Sequence, residues 1–485
     1  MKSLTKLCFG LLICLALFIC AIGSISVTLA QDQTDQSKVI GIWQGALKVP
    51  GGELRIVFRI SQNEDRTLAA AMDSPDQGAF GIPTSGTSFR NDSLRIEVKV
   101  VMGEFEGKAQ FDSAKIVGHW KQSGMTLPLS LKRTDETPKL NRPQEPKKPY
   151  PYIEEEIIYQ NQKAGIQLAG TLTLPPSAGT HPVVLLITGS GSEDRDETIF
   201  AHRPFLILAD YLTRQGVAVL RFDDRGTGKS TGEFQSATTE DFASDVLAGI
   251  NYLKTRKEIN LKQIGLIGHS EGGIIAPMVA AQSKVVAFIV LMAGTGLTGE
   301  EIMYLQSDLI LKATGVSDEV IKTSHSLQER LFEILKQELD DSIAVKKLQQ
   351  IMKEALAQLS EQEKQAIGKA DATIDLQIKQ IMSPWFRYFL TYDPKPALMK
   401  VKCPVLAING ELDLQVPPKE NLAAIEKALK AGGNKNYTIK EFPKLNHLFQ
   451  TALTGSPSEY AKIEETMAPD VLKFMGDWIL VQSAN

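Results

Sequence analysis

Between Val183 and Phe442, short apolar runs alternate with segments of helical period, and this alternation restricts the fold of the 485-residue chain more than any other feature. The runs are Val183–Ile187, Val217–Phe222, Ile264–Ile267, Ala287–Met292, Val405–Ile408 and Tyr437–Phe442. Each has the length of a strand and is a candidate for one. Between them, Phe242, Val246, Ile250 and Leu253 mark one side of a helix that begins after Thr238-Thr239, with acids in its first turn. Strand and helix alternating in this way predict an α/β fold, a mostly parallel sheet flanked by helices. Pro469 opens a last helix whose Val471, Phe474, Met475 and Trp478 are placed to pack on that sheet.

One stretch departs from the alternation. Residues 297–382 read as helix alone, with Leu327, Leu331, Leu335 and Leu339 on one face and Leu348, Met352, Leu356 and Leu359 on the next. Inserted between two strands, such helices form a cap over the end of the sheet, although the spacing also resembles a coiled-coil surface. Ahead of the α/β unit, residues 39–133 alternate with period two, as in Leu54, Ile56, Phe58 and Ile60 or Leu94, Ile96, Val98 and Val100. Turn signals at Pro50-Gly51-Gly52, Ser74-Pro75-Asp76, Asn91-Asp92 and Ser123-Gly124 make this an all-β domain, a sandwich or small barrel. It carries no catalytic constellation, so packing or targeting is favoured over ligand binding. Residues 134–152, with five prolines and many charges, form a linker to residues 153–485.

At the amino end, Lys2 and Lys6 precede an apolar run from Leu7 to Ile22, and Thr28-Leu29-Ala30 offers small residues where a signal peptidase cleaves. A leader over residues 1–30 and a periplasmic or extracellular destination are expected, with an uncleaved anchor or a lipid attached at Cys20 as the competing readings. Cys8, Cys14 and Cys20 fall in that leader and leave Cys403 alone, so no disulfide is expected in the mature chain. The net charge is −4 and losing the leader makes it more negative, which argues against nucleic acid as a partner.

"IGLIGHSEGG", residues 264–273, holds the chemistry. Gly268-His269-Ser270-Glu271-Gly272 lies where a strand turns into a helix, the setting of a nucleophile elbow. The serine projects from a strained turn, and Gly268 and Gly272 leave room for strand and helix to approach. A tight turn with an ordinary hydroxyl is the bland alternative. As nucleophile, Ser270 needs a histidine base and a carboxylate to orient it. Among six histidines, His447 follows the last expected strand; His325 lies in the cap, His119 in the β domain, and His181 and His202 precede the serine. Asp413, just past the Val405–Ile408 strand, is the candidate acid, with Glu411 its rival. An oxyanion site needs two backbone N–H groups. One is assigned to Glu271 and the other to Ser190, or next Gly189, in the small-residue loop Thr188–Ser192.

Gly228-Lys229-Ser230 resembles the end of a phosphate-binding loop, but the glycine required five residues before Gly228 is Asp223, and the nucleotide reading fails. A Gly-rich turn in which Asp224 and Arg225 fix loops near the site accounts for the stretch. Without HExxH, HxxxH or paired cysteines, neither a metal nor another cofactor is expected.

"GHSEGG", "DDRGTGKSTG", "TGSGSEDRDE" and "LNHLFQ" together resemble the α/β-hydrolase superfamily, and within it the serine aminopeptidase-like esterase branch, over about residues 153–485. The resemblance implies an α/β-hydrolase fold, carboxylesterase activity often on short acyl chains, and a small β domain in front. It places Ser270, Asp413 and His447 at the triad positions. Where that group has His-Gly before the oxyanion residue, this chain has Thr188-Gly189. The expected partner is a small-molecule ester, with no stable membrane insertion once the leader is cleaved. An aminopeptidase would add acids for a free amino group, for which Glu300 and Glu301 are candidates, while an acyltransferase would differ only in excluding water. A binding protein without catalysis is the alternative of another class.

Overall fold

The computed structural model describes residues 36–49, 52–63, 65–77, 79–122, 125–136, 140–359 and 370–483. The expected leader, with Cys8, Cys14 and Cys20, lies outside them, as do the turns at Pro50-Gly51 and Ser123-Gly124. Among the described residues no helix is long and apolar enough to cross a membrane. The chain divides into two compact units, and the second comprises Arg142–Met352 and Gln377–Asn485.

The first unit contains strands β1 (Gly41–Val49), β2 (Gly52–Gln62), β3 (Leu68–Ser74), β4 (Ala79–Pro83), β5 (Gly86–Arg90), β6 (Ser93–Val98), β7 (Gly103–Gln110), β8 (Lys115–Gln122) and β9 (Met125–Thr134). They form one sheet in the order β4-β3-β2-β1-β9-β8-β7-β6-β5, antiparallel at every step. In a flat sheet of this order β2 and β7 would lie about 19 Å apart. Instead the rings of Phe58 on β2 and Phe105 on β7 have centroids 5.6 Å apart, so the sheet curls over a shared core of Trp43, Phe58, Ile96, Phe105, Ile116 and Trp120. The all-β expectation is realised as one curled sheet, a half-barrel whose ends are β4 and β5. Asn91 and Asp92 both adopt left-handed backbone, φ 49° and 60°, as a two-residue hairpin turn between β5 and β6 demands. Val100 leaves the expected alternation, because a 3-10 turn over Lys99–Val101 ends the strand first.

The second unit is built on β10 (Ile153–Asn161), β11 (Ile166–Leu174), β12 (His181–Ile187), β13 (Ala218–Phe222), β14 (Ile259–His269), β15 (Val286–Met292), β16 (Val405–Gly410) and β17 (Tyr437–Phe442). Its order is β10-β11-β13-β12-β14-β15-β16-β17; β10 and β11 run antiparallel and every pairing from β13 to β17 is parallel. This is the sheet of an α/β hydrolase. The helices are α1 (Pro204–Arg214), α2 (Thr239–Leu253), α3 (Gly272–Ala280), α4 (Gly299–Ala313), α5 (Asp318–Gln337), α6 (Asp341–Ala357), α7 (Ala370–Ile381), α8 (Pro384–Thr391), α9 (Lys395–Lys400), α10 (Pro418–Ala431) and α11 (Pro469–Ser483).

Helices α1 and α11 cover one face of the sheet. Phe205, Leu208, Leu212, Val471, Met475 and Ile479 join Val184, Ile267, Val290 and Leu406 in a core from which water is excluded, with Phe474 and Trp478 at its margin. Helices α2, α3 and α10 lie against strands of the same sheet as well. Helix α2 starts where the sequence places it: the Thr238 amide donates to Asp241 Oδ2 at 2.9 Å, satisfying a donor that the first turn leaves open.

The helical run between β15 and β16 extends beyond 382. Ser383 caps α8 by accepting from the Phe386 amide at 3.2 Å, and Pro384 occupies its first turn, so another helix begins just past the expected end. Within the insertion, Phe332 of α5 meets Tyr304 of α4 and Phe386 of α8, with centroids 5.3 and 5.9 Å apart. Leu331 and Leu335 are buried as expected, but Leu339 lies past the end of α5 and is 90% exposed.

Candidate active site

The sequence-derived site residues collect at the carboxyl ends of neighbouring parallel strands. Thr188–Ser192 follow β12, Asp223–Arg225 follow β13, Ser270 follows β14, Asp413 follows β16 and His447 follows β17. Side-chain placement then depends on the turns that leave those strands.

Ser270 has φ 52°, in the left-handed region that a residue with a Cβ rarely occupies. Its amide donates to Met292 O of β15 at 2.9 Å and its carbonyl accepts from Gly273 N at 2.9 Å, which holds the turn. A Cβ on Gly268 would lie 2.0 Å from Gly272 O, and one on Gly272 would lie 2.3 Å from Ile187 O. No side chain fits at either position, as the elbow reading requires. A Cβ on Gly189 would stand 3.4 Å from Ser270 Cβ, so the loop after β12 passes directly beside the serine.

His447 Nδ1 lies 2.8 Å from Asp413 Oδ2, with both residues buried. The Asp413 Oδ1 atom accepts from the amides of Gln415 and Val416, both at 2.8 Å. A carboxylate anchored on one oxygen by two backbone donors presents the other to the ring, so Nδ1 carries the hydrogen and Nε2 is left as a base. Glu411, the rival acid, is exposed and accepts instead from the Lys444 amide at 2.9 Å.

His269, immediately before Ser270, joins the groups. Its Nε2 is 3.0 Å from His447 O, its Nδ1 is 2.8 Å from Glu197 Oε1, and the two imidazole rings have centroids 4.8 Å apart. Burial pushes the His269 imidazolium down, but the charge and hydrogen bond of Glu197 outweigh it and the pKa ends above its ordinary value. The remaining histidines have separate roles. His202 is buried between Thr466 Oγ1 and Tyr460 O, and burial lowers its pKa to about 4; His325 faces Asp308 at 3.0 Å within the insertion.

Of the two alternatives for the second oxyanion donor, Gly189 is engaged: its N–H donates to Glu197 Oε1 at 2.8 Å. Among the described residues no protein acceptor takes the amide hydrogen of Ser190 or of Glu271. The Glu271 carboxylate accepts from Thr239 Oγ1 at 2.6 Å and Trp385 Nε1 at 2.9 Å. Burial raises the Glu271 pKa against the opposing effect of those donors.

Asp224 fixes the loop after β12. It accepts from Thr188 Oγ1 at 2.9 Å and from Glu193 N at 3.0 Å, and burial drives its pKa well up. Asp223 grips Arg195 through two bonds of 2.9 and 2.8 Å, and Arg225 grips Asp245 through two of 2.8 and 3.0 Å. Gly228 has φ 54° and a Cβ there would meet Asp223 Oδ2 at 2.4 Å, while Ser230 Oγ donates to Asp223 O at 2.7 Å. The Gly-Lys-Ser stretch thus packs the Asp223 turn. Among the described residues no cluster of three or more His, Cys, Asp or Glu could hold a metal ion.

Sequence reading missed Glu197, His269 and Trp385. His269 and Glu197 stand inside quoted motifs, but nothing in those motifs announces their pairing. Trp385 lies 114 residues from Glu271 and carries no local signal.

Residues 164–441 match the sequence profile of the X-Pro dipeptidyl-peptidase (S15) family. Esterase EstD of Thermotoga maritima is 25% identical over 328 residues, covering 67% of this chain and 69% of that relative. A solved structure of Est1E from Butyrivibrio proteoclasticus with ferulic acid bound is 18% identical, covering 68% of this chain and 100% of that one at a TM-score of 0.40. The Pyrococcus furiosus esterase Pf2001 aligns at 16% identity and TM-score 0.40, over 68% of this chain and 94% of that one. Because the profile spans more than half of its residues, the chain belongs to the S15 family of α/β hydrolases.

Proposed function

We propose that the protein is a serine hydrolase that cleaves carboxylic esters, with short acyl chains preferred. The reading is supported by the backbone of Ser270, held at φ 52°, together with a His447–Asp413 pair at 2.8 Å at the carboxyl end of the same sheet. In the first step His447 Nε2 takes the proton of Ser270 Oγ as the oxygen attacks the ester carbonyl. Asp413 stabilises the imidazolium, and the amides of Glu271 and Ser190 receive the negative charge. The carbonyl re-forms, the alcohol leaves with the proton from His447, and an acyl-Ser270 ester remains. Water, activated by the same histidine, then releases the acid. The helical insertion limits the length of the acyl group. Export is proposed alongside, resting on the apolar run after Lys2 and Lys6, and amino-terminal sequencing of the secreted protein tests it.

The family name favours a second reading, removal of X-Pro dipeptides. The acids put forward for a free amino group are otherwise engaged, however. Glu300 binds Lys336 Nζ at 2.7 Å and Glu301 accepts from the Thr298 amide at 2.9 Å to cap α4. The two readings separate on p-nitrophenyl esters of increasing acyl length beside an X-Pro dipeptide anilide. Ester turnover is expected to exceed anilide turnover and to fall at least ~10³-fold in Ser270→Ala. Turnover that survives the substitution removes Ser270 from the reaction, and faster anilide cleavage makes the protein a peptidase.

A further inference from the structure

The carboxylate of Glu271 is not used in the proposed chemistry, where only its backbone N–H acts. It is 2% exposed and, among the described residues, faces no cationic side chain in an ion pair. Burying a charge without a counter-charge is unfavourable and persists only where hydrogen bonds compensate. The donors here come from two different elements. Thr239 Oγ1 at 2.6 Å belongs to the first turn of α2, and Trp385 Nε1, at 2.9 and 3.0 Å from the two oxygens, to α8 of the helical insertion. Both are neutral groups that donate, and a carboxylate accepts from both at once.

We infer that Glu271 is a positioning residue whose side chain latches α8 to the turn that carries Ser270, so that the placement of the insertion sets the geometry of the Glu271 amide. The inference rests on the proposed hydrolase reading and deepens it. The latch is asymmetric. On the insertion side it depends on one indole N–H, because Trp385 is otherwise held by stacking on Phe389 at 5.4 Å, a contact that phenylalanine can keep. On the other side it depends on the Thr239 hydroxyl of α2 and on the backbone of the turn itself, because Glu271 directly follows Ser270. With Glu197 fixing Gly189, and Thr239 and Trp385 fixing the Glu271 side chain, the loop and the turn beside Ser270 are each held through a carboxylate.

Trp385→Phe and Glu271→Gln test the idea with p-nitrophenyl acetate, an ester with the smallest acyl chain in the series. Both variants are expected to lower kcat at least ~10-fold while KM changes less than ~3-fold, because charge stabilisation rather than acyl contact is lost. Unchanged kcat, or a KM that rises only with longer acyl chains, makes the pair a pocket wall and overturns the inference. A second measurement is independent of turnover. In ¹⁵N-tryptophan-labelled protein the Trp385 indole resonance, identified by its loss in Trp385→Phe, is expected to exchange with water at least ~10-fold faster in Glu271→Gln than in wild type. Equal exchange overturns the latch even if ester hydrolysis proves to be the wrong activity. Should Glu271→Gln not fold, Glu271→Asp keeps the charge, withdraws the oxygens from the indole and is expected to give the same direction in both measurements.

Discussion

Gly268 and Gly272 sit where backbone meets backbone, and no rotamer can relieve an added methyl group at either. A Cβ at Gly268 would fall 2.0 Å from a carbonyl oxygen, so Gly268→Ala is expected to cost about 3 kcal/mol or more, read as a lower denaturation midpoint. A wild-type midpoint would show that the turn relaxes freely. His269 makes a prediction of different sign. Its pKa is raised in the folded state, so its proton stabilises fully below the unfolded value near 6.5 and that contribution fades as pH rises through the folded value. The stability lost on Glu197→Gln is therefore expected to be largest below about pH 6.5 and to shrink at higher pH, whereas a gap that widens with pH assigns the effect to another group. At this scale the position of Ser270, Asp413 and His447 after strands was legible, because each stands next to a strand end that its apolar run announces. Glu197 was hidden because its role is set by a partner 72 residues away.

All six expected strands of the second sheet are present, and Tyr437–Phe442 has the expected ends although its burial is mixed. β10 and β11 were missed, since "IQLAGTLTL" mixes threonine and glycine with apolar residues and gives neither alternation nor a continuous run. The insertion ran past its expected end because Ser383 and Pro384 cap and open a further helix, α8. In the other sheet, period-two alternation gave the strands but not the curl, which depends on large rings from distant strands. Phe58 is fully buried against Phe105 and Trp120, and Phe58→Ala is expected to cost about 3–5 kcal/mol, measured by loss of the near-ultraviolet signal in denaturant. A cost under about 1 kcal/mol would mean the sheet collapses into the space without strain.

For the molecule as a whole, cohesion comes from burial. Among the described residues Cys403 is the only free cysteine, and burial pushes its thiol up to about 11. It is expected to resist iodoacetamide at pH 8 in the native protein and to react at least ~10-fold faster once unfolded, as followed by mass spectrometry of the peptide that contains it. Fast native labelling would instead reveal an opening of the β16 end of the sheet. The order of the second sheet also has a consequence for synthesis. β12, which precedes the oxyanion loop, lies in the middle of that sheet, while β17, which precedes His447, closes its edge. At about 5–20 residues per second, the ribosome takes roughly 13–50 s to pass from Thr188 to His447. Once Ser270 has been made, the nascent chain holds the serine turn and an open strand edge but not yet His447, so on the proposed mechanism a chain released early lacks its base and hydrolysis waits for the last strand to dock.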